Sequence, residues 1–167
     1  MELKLETHHL QAGDGIPNKR FPLIVYRGAL SGGALSPEGC AALFHRNGWR
    51  GTWLNGVFPY WHYHPHAHEV LGCVAGGGRI GFGGDNGIAT DFIAGDVVLI
   101  PAGVGHKRLS QMPGFLVVGG YPPGQNSAIS NAGDIDIDRA VEKARAVPVP
   151  TSDPVTGARG GLHDVWL

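Results

Sequence analysis

The feature that most constrains the fold is a succession of short strand-like runs separated by glycine-containing turns, extending from Trp49 to Tyr121. After a run that begins at Glu69, the strand-like segments are RIGF, IATDFI, VVLIP, HKRLS and FLVVGGY, and the turns include GGDNG, AGD, AGVG and MPG. Asn86-Gly87 is a strong hairpin signal, because both residues tolerate positive φ. The 28 glycines and 12 prolines of this 167-residue chain suit tight turns and short strands better than a helical bundle. The pattern predicts an all-β protein, built as a barrel or a sandwich.

Outside this region the sequence carries signals for one strand and two helices. The run FPLIVYRGAL at 21–30 predicts an early strand, whose pairing partner the sequence does not reveal. Ser36-Pro37-Glu38 combines an N-cap hydroxyl with a proline and an acid for the first turn, and Asn47-Gly48 supplies a stop. We therefore expect a helix of about ten residues between them. A second short amphipathic helix is predicted within 136–147.

The chain ends in a proline- and glycine-rich arm whose last three residues, Val165, Trp166 and Leu167, are apolar. Apolar side chains are unfavourable at a freely solvated end. We therefore expect the arm to be ordered and to dock on the barrel or on a neighbouring subunit.

Composition and charge exclude several classes of partner. Thirteen basic and 14 acidic side chains give a formal charge of −1, so we expect no nucleic-acid partner and no binding to an anionic membrane surface. No apolar stretch approaches the ~20 residues of a membrane span, and MELKLETHHL carries no apolar signal region, so we expect a cytoplasmic protein. Cys40 and Cys73 lack metal or redox spacing and are interpreted as buried free thiols.

Two segments distant in sequence carry histidines and a glutamate that indicate a metal site. His62 and His64 are two residues apart on a predicted strand, so both project from the same face. Glu69 begins the next strand, and His106 follows a glycine-bounded turn. Imidazole nitrogens and carboxylate oxygens bind mid-to-late first-row divalent metals. The alternative is that the neighbouring histidines only pack and hydrogen-bond in an aromatic-rich strand.

His68 leaves the identity of the third ligand open. It adjoins Glu69 and has the strand parity of His62 and His64, although Pro65 interrupts that parity. Either Glu69 or His68 could be the third ligand, and motif spacing favours Glu69. His68 then serves as a neighbour that supports the ligands, or as an extra ligand.

Two other motif matches lack the structural context that they need. Residues 76–81 fit GxGxxG, but FGGDNG turns the chain where a dinucleotide site needs a helix. His68-Glu69 begins an HExxH-like string, yet Gly72 stands where the second histidine belongs. Neither match predicts a site.

The spacings G-x5-H-x-H-x4-E-x6-G at 56–76 and G-x5-P-x-G-x2-H at 95–106 resemble the paired motifs of the cupin superfamily. One departure is Ser110, where an asparagine often follows the second-motif histidine. The resemblance covers 56–76 and 95–106, extends across the strand pattern from about 49 to 121, and implies a double-stranded β-helix, or jelly-roll barrel. Both flanking regions lie outside the resemblance, and there the local signals predict one short N-terminal helix and a short C-terminal helix plus arm. The chain length predicts one domain over 1–167, comprising an N-terminal strand and helix at 1–48, a barrel core at about 49–121, and a C-terminal helix and arm at 122–167.

The same resemblance implies that His62, His64, Glu69 and His106 hold one divalent transition metal per chain, with iron, manganese, nickel and zinc all compatible. It further implies a homodimer, for which the N-terminal strand and the C-terminal arm are candidate contacts.

From these residues we expect a mononuclear metalloenzyme, a dioxygenase-like oxidoreductase acting on a small polar or acidic molecule. Two alternatives stay open: a metal-dependent sugar or keto-acid isomerase, and a non-catalytic cupin that binds a small molecule or metal. The sequence identifies no catalytic base. Arg79 and Lys107 are candidates for holding a substrate carboxylate, although solvation at a strand edge explains them equally well.

Overall fold

The computed structural model describes residues 2–167, and over these residues eleven strands form two antiparallel sheets. In chain order the strands are β1 (Lys4–His8), β2 (Leu23–Arg27), β3 (Arg50–Asn55), β4 (His62–Tyr63), β5 (Glu69–Ala75), β6 (Gly77–Phe82), β7 (Ile88–Ile93), β8 (Val97–Ile100), β9 (His106–Gln111), β10 (Leu116–Tyr121) and β11 (Ser130–Asn131). One sheet has the order β1-β2-β8-β5-β10-β3, and the other has the order β11-β4-β9-β6-β7.

The chain passes back and forth between the two sheets, which confirms the predicted all-β jelly roll. Strands β8 and β10 belong to the six-stranded sheet, whereas β9 between them belongs to the five-stranded sheet. The buried side chains between the sheets come from both of them and include Leu71, Ile80, Phe82, Val98 and Val117. Burial of these two facing apolar surfaces holds the sheets together.

A second apolar cluster lies on the outer face of the six-stranded sheet, where the first helix packs. Helix α1 (Pro37–Arg46) begins as predicted, because the Ser36 hydroxyl accepts a hydrogen bond of 3.0 Å from the Gly39 N–H. It buries Cys40 and Phe44 against the sheet. A Cβ atom at Gly72 would lie 2.6 Å from the Cys40 sulfur, so only glycine at this position lets the helix approach so closely. Both cysteines are free and buried.

Strand β2 accounts for the predicted early strand, and it is an interior strand. It pairs with β1 on one side and with β8 on the other, so both of its edges are occupied within the chain. The sheet thus includes strands that precede the expected barrel core at 49–121. A dimer contact through the edge of β2 is not compatible with this position.

The C-terminal segment folds back onto its own barrel. Helix α2 (Ile137–Arg145) lies within the predicted 136–147, and helix α3 (Leu162–Val165) closes the chain. The Trp166 ring stacks on Phe21 at 4.8 Å between centroids, and its indole N–H donates to the Pro22 carbonyl at 2.9 Å. The arm was expected to dock either on the barrel or on a neighbouring subunit, and in the structure it docks on the barrel of its own chain.

Asp153 is the buried polar residue that fastens this arm. Its Oδ2 atom accepts hydrogen bonds from the Tyr26 hydroxyl at 2.5 Å and from the Leu162 N–H at 2.8 Å. Its Oδ1 atom accepts from the backbone N–H groups of Val155 and Thr156. One carboxylate thereby joins β2, the arm and the start of α3.

No helix within residues 2–167 combines the length and the apolar character that a membrane crossing requires.

Replacing Asp153 with alanine is expected to lower the free energy of unfolding by about 3 kcal/mol, because the buried Tyr26 hydroxyl loses its charged acceptor. Urea denaturation followed by far-ultraviolet circular dichroism measures this change. Asp164→Ala is the matched control, since this exposed side chain should contribute less than about 0.5 kcal/mol. Equal stabilities of the two variants would contradict the assigned role of Asp153.

Candidate metal centre

The site lies between the two sheets, where each sheet contributes buried polar side chains. His62 on β4 is the register partner of His106 on β9, so these two histidines come from adjacent strands of the five-stranded sheet. Glu69 is the first residue of β5 in the opposing sheet, and His64 follows β4 directly. All four side chains are buried.

Three of the four expected residues present ligand atoms to a common point. The Glu69 carboxylate is 3.1 Å from Nε2 of His64 through Oε2, and 3.2 Å from Nε2 of His106 through Oε1. One ligand atom from each of these residues lies within 4.8 Å of the others. His62 lies outside this group of three but beside it, with its ring centroid 4.1 Å from that of His106 and 6.5 Å from that of His64.

Backbone carbonyls fix the orientation of all three imidazole rings. The Nδ1 atoms of His62, His64 and His106 lie 2.9, 2.9 and 3.2 Å from the carbonyl oxygens of Tyr60, Ser127 and Val104, respectively. A carbonyl oxygen only accepts, so each Nδ1 carries the proton. In a neutral imidazole the other nitrogen, Nε2, is then a lone-pair acceptor, which is the usual arrangement of a metal-binding histidine.

This arrangement leaves Glu69 facing acceptors rather than donors. With Nδ1 protonated, the neutral rings of His64 and His106 have no Nε2 proton to give to the carboxylate oxygens 3.1 and 3.2 Å away. A carboxylate oxygen and an imidazole lone pair are both hydrogen-bond acceptors, so placing them this close in a buried site is unfavourable unless a positive charge lies between them. The nitrogen and oxygen donors therefore fit a divalent transition metal.

The electrostatics of the cluster keep Glu69 ionised and His62 neutral. Burial raises the pKa of Glu69, but His64 and His106 outweigh this effect and hold the pKa below its usual range. Burial, together with the neighbouring His106, lowers the pKa of His62 to about 3. For His64, burial favours the neutral ring, but the Glu69 carboxylate outweighs it and raises the pKa. The cluster thus carries a buried negative charge that draws a positive charge toward it, while His62 beside it keeps the Nε2 lone pair of a neutral ring.

His68, the alternative third ligand, does not join the cluster. Its Nδ1 accepts a hydrogen bond of 2.8 Å from the Ala102 N–H, and its ring lies 4.9 Å from Trp166. Burial and the nearby Arg20 lower its pKa to about 3, so its Nε2 carries the only ring proton. That Nε2 has no hydrogen-bond partner within residues 2–167. The geometry supports Glu69 over His68, because the turn containing Pro65 breaks the strand parity that made His68 a candidate.

A cavity of about 390 Å³ opens beside the cluster. Its walls are mainly apolar and include Trp53, Leu54, Val57, Phe58, Leu71 and Ile129. The Tyr121 ring stands edge-on to His64 at 5.4 Å, and the Trp53 indole N–H donates to the Tyr121 hydroxyl at 2.9 Å. Burial and the Glu69 carboxylate raise the pKa of Tyr121, which keeps its phenol protonated.

Arg108 is a cavity residue that the sequence analysis missed. The candidates named from sequence lie elsewhere, since Arg79 pairs with Asp91 at 3.0 Å on the surface and Lys107 lies 5.9 Å from the Trp61 ring. Neither of them lines the cavity, whereas Arg108 does. Strand parity could have found it, because a residue two positions after His106 on β9 projects from the same face.

Comparison with known sequences identifies a family and a close relative. Residues 55–140 match the cupin family, a range that includes all four expected ligands. The chain is also 39% identical over 168 residues to the uncharacterized protein YjlB of Bacillus subtilis (strain 168), covering 100% of this chain and 99% of that protein.

Comparison with solved structures finds more distant similarities. Acireductone dioxygenase from Bacillus anthracis, with a cadmium ion in its active centre, has a TM-score of 0.42 and 15% identity, covering 61% of this chain and 74% of that one. An oxalate decarboxylase variant of Bacillus subtilis has a TM-score of 0.40 and 17% identity, covering 72% of this chain and 30% of that one.

The hydrogen bonds predict opposite tautomers for two groups of histidines. At alkaline pH, long-range ¹H–¹⁵N spectra should show protonated Nδ1 atoms for His62, His64 and His106, because each donates to a carbonyl. His68 is the internal control and should show a protonated Nε2, because its Nδ1 accepts from Ala102. A protonated Nε2 on neutral His64 or His106 would contradict the proposed orientation of their lone pairs.

Proposed function

We propose that this chain, which belongs to the cupin family, holds one divalent transition metal through Glu69 and the Nε2 atoms of His62, His64 and His106, and acts as a mononuclear dioxygenase-type enzyme on a small acidic molecule. The observation that carries the proposal is the orientation of the imidazoles. Carbonyl oxygens hold all three rings at Nδ1, and the Nε2 atoms of His64 and His106 face a buried carboxylate.

The donor set determines which metals are compatible with the site. Three imidazole nitrogens and one carboxylate oxygen suit iron, manganese, nickel and zinc, and the absence of thiolate donors from the cluster disfavours soft ions. His62 completes this set as the fourth ligand in our proposal, since its ring is buried against His106 and its Nδ1 is already bonded to Tyr60. When bound, the metal supplies open coordination positions together with Lewis-acid or redox chemistry.

The cavity favours oxygen chemistry over isomerisation. Isomerisation of a sugar or keto acid needs a side chain that removes and returns a proton. Apart from the four proposed ligands, the titratable residues among those described as lining the cavity are Arg108 and Tyr121. An arginine stays protonated, and burial and Glu69 raise the pKa of Tyr121, so neither serves as an ordinary base.

The chain's own residues then bind and shield the reactants. Apolar walls from Val57, Leu71 and Ile129 limit the water beside the cluster, and they suit an apolar gas such as dioxygen. The Tyr121 hydroxyl accepts a hydrogen bond from the Trp53 indole, and burial and the nearby Glu69 carboxylate raise its pKa, so it stays protonated. A neutral hydroxyl there can donate a hydrogen bond to a bound reactant.

Metal content and dioxygen uptake test the proposal together. Protein purified without a histidine tag should bind about one metal per chain, and the double variant His64→Ala/His106→Ala should bind almost none, because two of the four donors are lost. Elemental analysis measures the metal. His66→Ala is the matched control, since His66 lies outside the ligand cluster and should leave the metal content unchanged.

An oxygen electrode then separates the reaction classes. Protein loaded with Fe²⁺ should consume dioxygen in the presence of a small carboxylic acid substrate, whereas Zn²⁺-loaded protein should not, because zinc has no accessible redox change. Full metal content in the double variant would contradict the ligand set. Substrate turnover by the Zn²⁺ form without dioxygen uptake would contradict the oxygenase assignment and favour the isomerase.

A further inference from the structure

Arg108 is positioned by β9 to face the cavity from the same side as His106. The two residues are separated by one position on a strand, so their side chains project from the same face of the sheet. The Arg108 backbone is held by a hydrogen bond of 2.9 Å from its N–H to the Phe58 carbonyl. The side chain is half-buried and forms part of the cavity wall.

The guanidinium of Arg108 has no acidic partner, unlike those of Arg27 and Arg79. Its side chain forms one weak hydrogen bond within residues 2–167, in which Nη1 donates to the Val57 carbonyl at 3.4 Å. No carboxylate within residues 2–167 forms an ion pair with it. By contrast, Arg27 contacts Glu6 at 2.9 Å and Asp96 at 3.0 Å.

A half-buried guanidinium with free N–H groups is suited to an anionic ligand. Guanidinium carries five N–H donors, and desolvating them without a partner is unfavourable. Its planar donor fork matches a carboxylate through two parallel hydrogen bonds. The free donors of Arg108 therefore favour a ligand with a carboxylate at this wall of the cavity.

The rest of the cavity restricts the ligand to one negative charge and an apolar body. Arg108 is the single basic residue among the described lining residues apart from the histidines, and Glu69 adds a negative charge nearby. A phosphate or a second carboxylate would need further donors. Most of the other lining side chains, such as Leu71, Phe58 and Ile129, are apolar and offer no partners for the hydroxyl groups of a sugar. Asn55, Ser127 and Tyr121 are the neutral polar residues of the lining, too few for the several hydroxyl groups of a sugar.

We propose that Arg108 binds the carboxylate of the substrate and that the substrate is a small monocarboxylic acid whose apolar body fills the cavity beside the metal cluster. The volume of about 390 Å³ is at the lower end of ligand cavities, so the acid is a small one. This inference rests on the proposed function, since it takes the cavity to be the substrate site.

Calorimetric titration of the metal-loaded protein tests this specificity directly. The probes are 3-phenylpropanoate, its neutral amide 3-phenylpropanamide, and oxalate. Wild-type protein should bind the carboxylate at least about tenfold more tightly than the amide, because charge-assisted hydrogen bonds to Arg108 are lost with the amide. It should also bind 3-phenylpropanoate more tightly than oxalate, because oxalate has no apolar body.

Variants locate this preference on Arg108. Arg108→Gln should lose the roughly tenfold preference for the carboxylate over the amide, and Arg108→Lys should retain part of it, because lysine keeps the charge but not the planar fork. Arg79→Gln is the matched control and should keep the full preference, since Arg79 pairs with Asp91 on the surface. Circular dichroism confirms that each variant is folded.

The outcomes distinguish this inference from the proposed function. Elemental analysis of the same samples reports metal content, so a wild-type protein without metal contradicts the proposed function. A metal-loaded protein that binds the amide as tightly as the carboxylate, or binds oxalate more tightly, overturns the inference alone. So does an unchanged preference in folded Arg108→Gln.

Discussion

A buried carboxylate facing two imidazole lone pairs is the interaction on which the interpretation of this molecule depends. Glu69 is buried between the sheets, and its charge needs compensation that the oriented rings of His64 and His106 do not give in their neutral form. Protonating His64 alone, whose pKa the carboxylate raises, would leave the Nε2 lone pair of His106 facing the other oxygen, and protonating both rings would place two positive charges in one buried site. A single divalent cation satisfies the carboxylate and the lone pairs at once, which explains why the chain gathers these groups from separate strands.

The jelly roll supplies the rigidity that such a cluster requires. Register pairing of β4 with β9 sets His62 beside His106, and the opposing sheet delivers Glu69 from β5. The carbonyls that orient the rings belong to the connecting segments at Tyr60, Val104 and Ser127. Strands therefore fix the positions of the ligands, and loops fix their orientation.

Local sequence rules predicted the elements well and failed where the outcome depends on non-local pairing. The signals that succeeded are short motifs: glycine-bounded turns, the Ser36 cap and the spacing within each histidine motif. The structure contains the strands and the helix that they predict, and it brings His64, Glu69 and His106 together. The position of β2 inside the sheet depends on pairing with β8, which no nearby residue encodes. His68 shows the limit of strand parity, because β4 ends at Tyr63 and the following turn changes the direction of the chain. Arg108 was overlooked although it has the parity of His106 in the regularly paired part of β9.

X-ray absorption spectroscopy at the edge of the bound metal determines whether the histidines and Glu69 coordinate it. It reports the number and type of atoms around the ion, and imidazole rings give a characteristic multiple-scattering pattern. We expect only nitrogen and oxygen atoms to coordinate the metal, with three imidazoles in the wild-type protein and two in a His62→Ala variant that still binds metal. A sulfur neighbour, or fewer than three imidazoles in the wild-type protein, would contradict it.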